Sequence, residues 1–148
     1  MEEVRGSNPL VSIMVIKEEL VYDSRGNACI IDVTSDVQDL VSKNELENGQ
    51  VLVFVPGATA SVTTIETENG LLEDFKEMFE RMIPGKGDYY HHDDNGHSHL
   101  RASLLGPSVA VPVAGKKLLL GTWQSIVLVD FDTRPRKRKI IVQLTGEK

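Results

Sequence analysis

Every histidine of this chain lies in one segment, His91-His92-Asp93-Asp94-Asn95-Gly96-His97-Ser98-His99. Neutral imidazole is the commonest transition-metal ligand, and its unperturbed titration falls near neutral pH. Four imidazoles and two carboxylates within nine residues, flanked by Tyr89-Tyr90 and Arg101, therefore point to metal binding or acid–base chemistry. The competing reading is a His-rich polar surface loop. Asn95-Gly96 puts the segment in or beside a turn. An extended segment places His97 and His99 on one face, whereas a helix divides them, and the sequence leaves both open. In the extended case the two would share a metal, with His91 or His92 adding a third nitrogen. Three protein ligands and an open position are the pattern of a catalytic zinc site. Asp93 and Asp94 would instead hold Mg²⁺ through water, because hard oxygen ligands suit that ion. Glu66, ending a stretch of Thr and Val, is a candidate fourth ligand or general base; the alternative is a solvated surface carboxylate.

Other residue groups have weaker chemical signatures. Pro56-Gly57-Ala58-Thr59-Ala60-Ser61 is a run of small residues whose N–H groups could approach an anion. No Gly-Lys-Ser/Thr follows, so a nucleotide-hydrolase loop is not present. Arg101 and Ser103 could bind a phosphate or carboxylate, or serve only as a salt bridge and a surface hydroxyl. Trp123, in Gly121-Thr122-Trp123-Gln124, could wall a ligand pocket with Gln124 hydrogen-bonding beside it, or anchor the core. Arg134-Pro135-Arg136-Lys137-Arg138-Lys139 is a basic run between two strands. The chain carries a formal charge of −6 and the run lacks interleaved aromatics, so a solvated hairpin tip or subunit contact is favoured over nucleic acid.

The elements that must position these groups can be read from periodicity. Strands are expected over Val11–Lys17, Ala28–Val33, Val51–Val55, Ala60–Glu66, Ser108–Val113, Lys117–Leu120, Gln124–Phe131 and Lys139–Leu144. The uninterrupted apolar run Val51–Val55 reads as a central strand buried on both faces. One helix, capped by Thr34 or Ser35, carries Val37, Leu40 and Val41 on one face. A second carries Leu71, Leu72, Phe75, Met78, Phe79 and Met82 on one stripe, which reads as core packing, and Pro84-Gly85 closes it. Leu100–Leu105 is a short helical or irregular stretch. The order implies a single α+β domain over residues 1–148, with a mixed or antiparallel, sandwich-like sheet core, two main helices and a flexible segment over 1–10.

Composition sets the class. With 148 residues, 41% apolar and 26% charged, the chain is expected to be one soluble domain with a real core. Aromatics make up 5%, so that core must be mostly Val, Ile, Leu and Ala. The one cysteine, Cys29, sits in an apolar run and reads as a buried small hydrophobe. No apolar run reaches membrane-span length, and the acidic start Met1-Glu2-Glu3 lacks a signal-peptide core, so the expected location is cytoplasmic.

Several of these segments together resemble the YjbQ family. They are Val53-Phe54-Val55-Pro56-Gly57-Ala58-Thr59-Ala60, Thr63-Thr64-Ile65-Glu66, the run from Asp94 to Ser108, Leu120-Gly121-Thr122-Trp123-Gln124 and Arg136-Lys137-Arg138, and the likeness spans the chain from about residue 11 onward. The resemblance implies a small α+β protein assembled as a homotrimer, with a site near the subunit boundaries. It also implies a secondary thiamine-phosphate synthase activity, which joins hydroxymethylpyrimidine diphosphate to a thiazole phosphate and releases pyrophosphate. The implied residues are Glu66, His97 and Arg101 in catalysis, with Thr59, Asn95, Ser103, Trp123 and Gln124 around the substrate. A divalent metal, zinc or magnesium, would be held by His92, His97 and His99. Many members have His-Thr-Thr-Ala where this chain has Gly57-Ala58-Thr59-Ala60, so one imidazole is missing and His91 or His92 would have to replace it. The alternatives are a non-catalytic trimer that binds a metal or metabolite and a metal-dependent hydrolase of a phosphorylated small molecule. Neither nucleic acid nor membrane is an expected partner.

Overall fold

The computed structural model describes residues 12–148. Segment 1–10 and Val11, the first residue of the expected opening strand, lie outside the described residues. In chain order the elements are β1 (Ile13–Ser24), β2 (Cys29–Asp32), α1 (Thr34–Lys43), β3 (Asn48–Phe54), β4 (Ala60–Ile65), α2 (Asn69–Met82), α3 (Gly96–Leu105), β5 (Ser108–Ala114), β6 (Lys117–Leu118), β7 (Ser125–Asp130) and β8 (Arg136–Glu147). The strands form a five-stranded sheet, β1-β8-β3-β5-β6, and a three-stranded sheet, β2-β7-β4. All pairings are antiparallel. The class is therefore α+β, as expected, with three helices among the described residues rather than two.

Two apolar layers hold these elements together. Val51, Val53, Ile140, Val142 and Leu144 of the large sheet pack against Val62, Ile126 and Leu128 of the small one, and α1 closes this layer with Val37, Leu40 and Val41. The other face of the small sheet, through Val127, Val129 and the adjoining Phe131, is covered by Phe75 and Phe79 of α2 and Ala102 of α3. Strand β7 thus lies in the middle and is buried on both faces. That role was expected of Val51–Val55. There the burial alternates, and Leu52 and Phe54 point to the outer face of the large sheet, only half-buried. A continuous apolar run marks a strand covered on both sides only when a layer lies beyond each side; among the described residues no element covers that outer face.

Three local expectations need correction. Helix α1 is not capped by Thr34 or Ser35: Val33 occupies the cap position, and Asp32 accepts from the Thr34 N–H at 2.9 Å and its hydroxyl at 2.6 Å. The α2 stripe is only partly core. Phe75 and Phe79 are buried, with Phe79 4.9 Å from Phe75 and 5.0 Å from Phe131 between ring centroids, while Met78 is 43% and Met82 54% exposed. Cys29 is half-buried rather than buried. Among the described residues no helix is long and apolar enough to cross a membrane.

Strands β3 and β8 approach unusually closely where Gly49 faces Gly146. A Cβ on Gly146 would lie 2.1 Å from the Asn48 carbonyl oxygen, and its φ of +148° disfavours any side chain. Gly146→Ala is expected to destabilise the fold by about 2 kcal/mol or more through overpacking against backbone. Urea unfolding measures this, and an unchanged midpoint would mean that the two strands separate freely.

Candidate functional site

The centre of the site region is a deeply buried ion pair. Strand β8 starts at Arg136, so Arg138 lies within it and turns inward, and its burial leaves it 4% exposed. Its Nε donates to Asp130 Oδ2 at 2.9 Å and its Nη2 to Asp130 Oδ1 at 2.8 Å, a two-pronged pair with a carboxylate that is fully buried. Burial alone would raise the Asp130 carboxyl. Arg138, hydrogen bonding from Ser24 and the Asp132 N–H outweigh it and hold the group below the ordinary carboxylate range. The basic run is therefore neither a hairpin tip nor a free patch. Arg136 pairs with Asp132 at 3.3 Å, Lys137 with Asp23 at 3.0 Å, and Lys139 lies 3.8 Å from Glu19.

A second carboxylate joins two segments that are distant in sequence. Asp132 Oδ2 accepts from the Thr59 hydroxyl at 3.1 Å, and its Oδ1 accepts from Asn95 Nδ2 at 3.3 Å and the Thr133 N–H at 2.8 Å. Burial raises this carboxyl too, and the donors around it, with Arg138 beyond, hold it low. The Thr59 oxygen also accepts from Arg138 Nη2 at 2.6 Å, so its one proton and an acceptor lobe are both engaged inside the protein. Thr59 and Asn95, both expected around a substrate, meet at Asp132.

Asn95 precedes α3, and its carbonyl accepts from the N–H groups of Ser98 and His99. The histidine segment is therefore helical from Gly96, and the division of His97 from His99 follows. A Cβ on Gly96 would crowd Tyr89 Cβ at 3.0 Å and His91 Cβ at 3.3 Å, so glycine here lets the preceding loop fold back onto the helix start. Tyr89 holds that loop by donating to the Pro84 carbonyl.

Each face of α3 has a different environment. On one, His97 is 7% exposed and Arg101 6%. Arg101 donates from Nε to the Ile83 carbonyl at 2.9 Å and from Nη2 to Glu80 at 2.8 Å, tying α3 to the end of α2. The His97 Nδ1 is buried without a partner among the described residues. Burial lowers the His97 pKa and the Arg101 charge lowers it further, against Glu80 and Asp132, so the imidazole is neutral at pH 7. A cavity of about 330 Å³, bounded by Asn27, Lys76, Glu80 and Gly85, adjoins the pair.

On the other face, His99 is half-buried and Ser103 exposed. With Leu100, Pro107, Gly57 and Ala58 they line a groove of about 470 Å³. His99 also borders an adjoining depression with Tyr90 and His91. The His91 ring lies 4.8 Å from His99 and 4.9 Å from His92 between centroids, and Asp93 lies 3.6 Å from His92 Nε2. Close rings do not make a ligand set: among the described residues no three His, Cys, Asp or Glu side chains converge on a point as metal ligands would. His92, His97 and His99 are not brought together within one chain.

Glu66, Trp123 and Gln124 lie at the opposite end of the small sheet. Ala60 pairs with Asp130 and Ile65 with Ser125, so six residues of extended chain, about 20 Å, separate the Asp130 end from Glu66. Glu66 is exposed just beyond β4. Gln124 donates to Thr64 Oγ1 at 3.1 Å and accepts from the Gly121 N–H at 3.0 Å. Trp123 is 73% exposed, so it is not a core anchor. Sequence reasoning missed Asp130 and Asp132; the available signal was two carboxylates in alternation, Val129-Asp130-Phe131-Asp132, closing a wholly apolar strand.

One pH dependence follows from His97. Its folded pKa lies below the ordinary value near 6.5, so the unfolded chain takes up the proton first. The contribution is fully present above about pH 6.5 and is lost as pH falls toward the folded pKa. Stability of the wild type should therefore fall more between pH 7.5 and 5.5 than that of His97→Gln, by urea unfolding at each pH. Parallel profiles would show that His97 is not buried as a neutral ring.

Comparison with known proteins agrees with this architecture. A family model described as UPF0047 protein YjbQ-like matches residues 18–147. A UPF0047 protein of Archaeoglobus fulgidus is 45% identical over 129 residues, covering 84% of this chain and 98% of that one. One from Methanothermobacter thermautotrophicus is 37% identical over 139 residues, covering 93% and 96%. The crystal structure of a YbjQ-like protein of unknown function from Sulfolobus solfataricus has a TM-score of 0.89 at 33% identity, covering 92% of this chain and 100% of its own. Another of the yjbq/upf0047 family, from Clostridium acetobutylicum, has a TM-score of 0.82 at 34% identity, covering 86% and 98%. With the family model spanning nearly all of the described residues and the same fold in its relatives, this chain belongs to the UPF0047 family of YjbQ-like proteins.

Proposed function

We propose that this chain is an enzyme acting on a phosphorylated small molecule, with its substrate in the groove between Gly57-Ala58 and the His99–Ser103 face of α3. The observation that carries the reading is the meeting of His91, His92 and His99 beside that groove. Imidazole serves as acid or base near neutral pH, and as a cation it stabilises a departing phosphate. The reaction to test first is the one the family resemblance implies. In it, the C–O bond from hydroxymethylpyrimidine to its diphosphate breaks, the thiazole nitrogen bonds to that carbon, and pyrophosphate leaves.

Glu66, Trp123 and Gln124 enter this reading through a homotrimer, in which the Glu66 end of one copy meets the histidine end of the next. The exposed Trp123 would then wall the pyrimidine. Support for association comes from the outer face of the large sheet. Ile13, Val15 and Val21 are exposed there and Leu52, Phe54 and Ile141 half-buried, beside the ion-paired Lys17, Glu19 and Lys139, a mixed surface of exposed apolar and charged groups such as protein contacts use. Glu66→Gln and His99→Ala should each abolish pyrophosphate release from the paired substrates. Reassembling the two variants together should restore about one quarter of the wild-type rate, the share of sites that receive both intact residues by random assortment. No release by the wild type would overturn this reaction, and no restoration would overturn the shared site.

A resident zinc or magnesium ion would supply positive charge to the leaving group. Among the described residues of one chain the donors do not converge on a metal. Elemental analysis of protein without a polyhistidine tag is expected to give far less than one zinc per chain. One zinc per chain, lost in His92→Ala/His99→Ala, would favour the metal-dependent hydrolase or the metal-binding trimer instead.

A further inference from the structure

The Arg138 guanidinium carries five N–H donors and cannot lose its charge. Three are used: Nε and one N–H of Nη2 on Asp130, and the second N–H of Nη2 on Thr59. Both remaining donors are on Nη1, and among the described residues no oxygen accepts from it. Nη1 is not among the buried atoms left without a partner, so this edge of the guanidinium keeps an opening to solvent and is free to take a ligand oxygen. Its direction is fixed, because Asp130 occupies the opposite edge. A Cβ built on Gly57 would lie 3.0 Å from Nη1, so the nitrogen sits directly beneath an exposed glycine on the groove wall. The missing side chain leaves a gap between the Nη1 edge of Arg138 and the groove.

We propose that Arg138, reached through the gap at Gly57, is the anion anchor of this groove and takes an oxygen of a phosphate or pyrophosphate group. The inference rests on the reading of the groove as the substrate site and names the group that grips the phosphate. Asp130 already balances the charge of Arg138, so the anchor acts through two directed N–H groups, not through net charge. Ser103, exposed on the same groove, supplies a hydroxyl for a second oxygen, and His99 borders the same space. Leu100 and Pro107 give the organic part of the ligand an apolar wall. Arg101 lies on the other face of α3, where it donates to Glu80 and Ile83 and does not line this groove.

The test is calorimetric titration of the full chain with pyrophosphate and, separately, with acetate. Gly57 has no positive φ, so Gly57→Ala keeps the backbone allowed while placing a methyl group over Nη1. The wild type should bind pyrophosphate, and Gly57→Ala should bind it about tenfold more weakly or worse, with its thermal midpoint unchanged. In the wild-type protein, the Arg138 Nη signals in ¹⁵N NMR should shift on adding pyrophosphate, a readout that stands even if the variant misfolds. Equal affinity in Gly57→Ala, no pyrophosphate binding, or unmoved Arg138 signals would each overturn the anchor. Acetate bound as tightly as pyrophosphate would overturn the phosphate assignment in favour of a carboxylate. Binding is read without turnover. Intact pyrophosphate affinity with no coupling activity would fault the proposed reaction, whereas normal turnover with unchanged affinity in Gly57→Ala would fault the anchor.

Discussion

The arrangement around the groove depends on the buried pair between Arg138 and Asp130. Two charges withdrawn from water are tolerated only when their remaining donors and acceptors are also satisfied, and removing one partner is far worse than replacing both. Here the pair recruits the Thr59 hydroxyl, the Asp132 backbone and Ser24. Those contacts reach β1, the loop before β4, the end of β7 and the start of β8. An ion pair of this kind sets register, because sliding any of these strands would leave a charge alone in the interior.

Asp132 extends the same constraint to the histidine segment. By accepting from both Thr59 and Asn95, it fixes the distance between the glycine loop and the first turn of α3. Helix geometry then separates the histidines: residues two apart point to different sides, while residues four apart share one. His97 and Arg101 therefore face α2, where Arg101 acts as a structural tie. His99 and Ser103 face the groove. The helix divides a face packed against α2, which holds the buried His97, from a face that lines the groove.

The position of the small sheet explains why the expected site residues fall into two groups. Thr59 lies just before strand β4 and Glu66 just after it, while Trp123 and Gln124 precede β7 and Asp132 follows Asp130 at its end. Antiparallel pairing keeps Glu66 beside Gln124, and Thr59 beside Asp130, about a strand length away.

Much was legible in the residues alone. The alternating and helical periodicities gave the strands, the apolar faces of α1 and α2 and the α+β class, because burial on one side leaves a period in the sequence. The family was legible too, in the run from Asp94 to Ser108 and in Gly121-Thr122-Trp123-Gln124. Tertiary structure alone decided which strand would be covered on both faces, since Val51–Val55 and Ile126–Val129 are equally apolar and only the placement of α2 and α3 distinguishes them. It alone turned Arg138 inward while Lys137 and Lys139 stayed in water, because a strand alternates and the register with β1 and β3 chooses the side. It alone separated His97 from His99, since a two-residue spacing is compatible with either backbone and the packing of Gly96 against Tyr89 and His91 selects the helix.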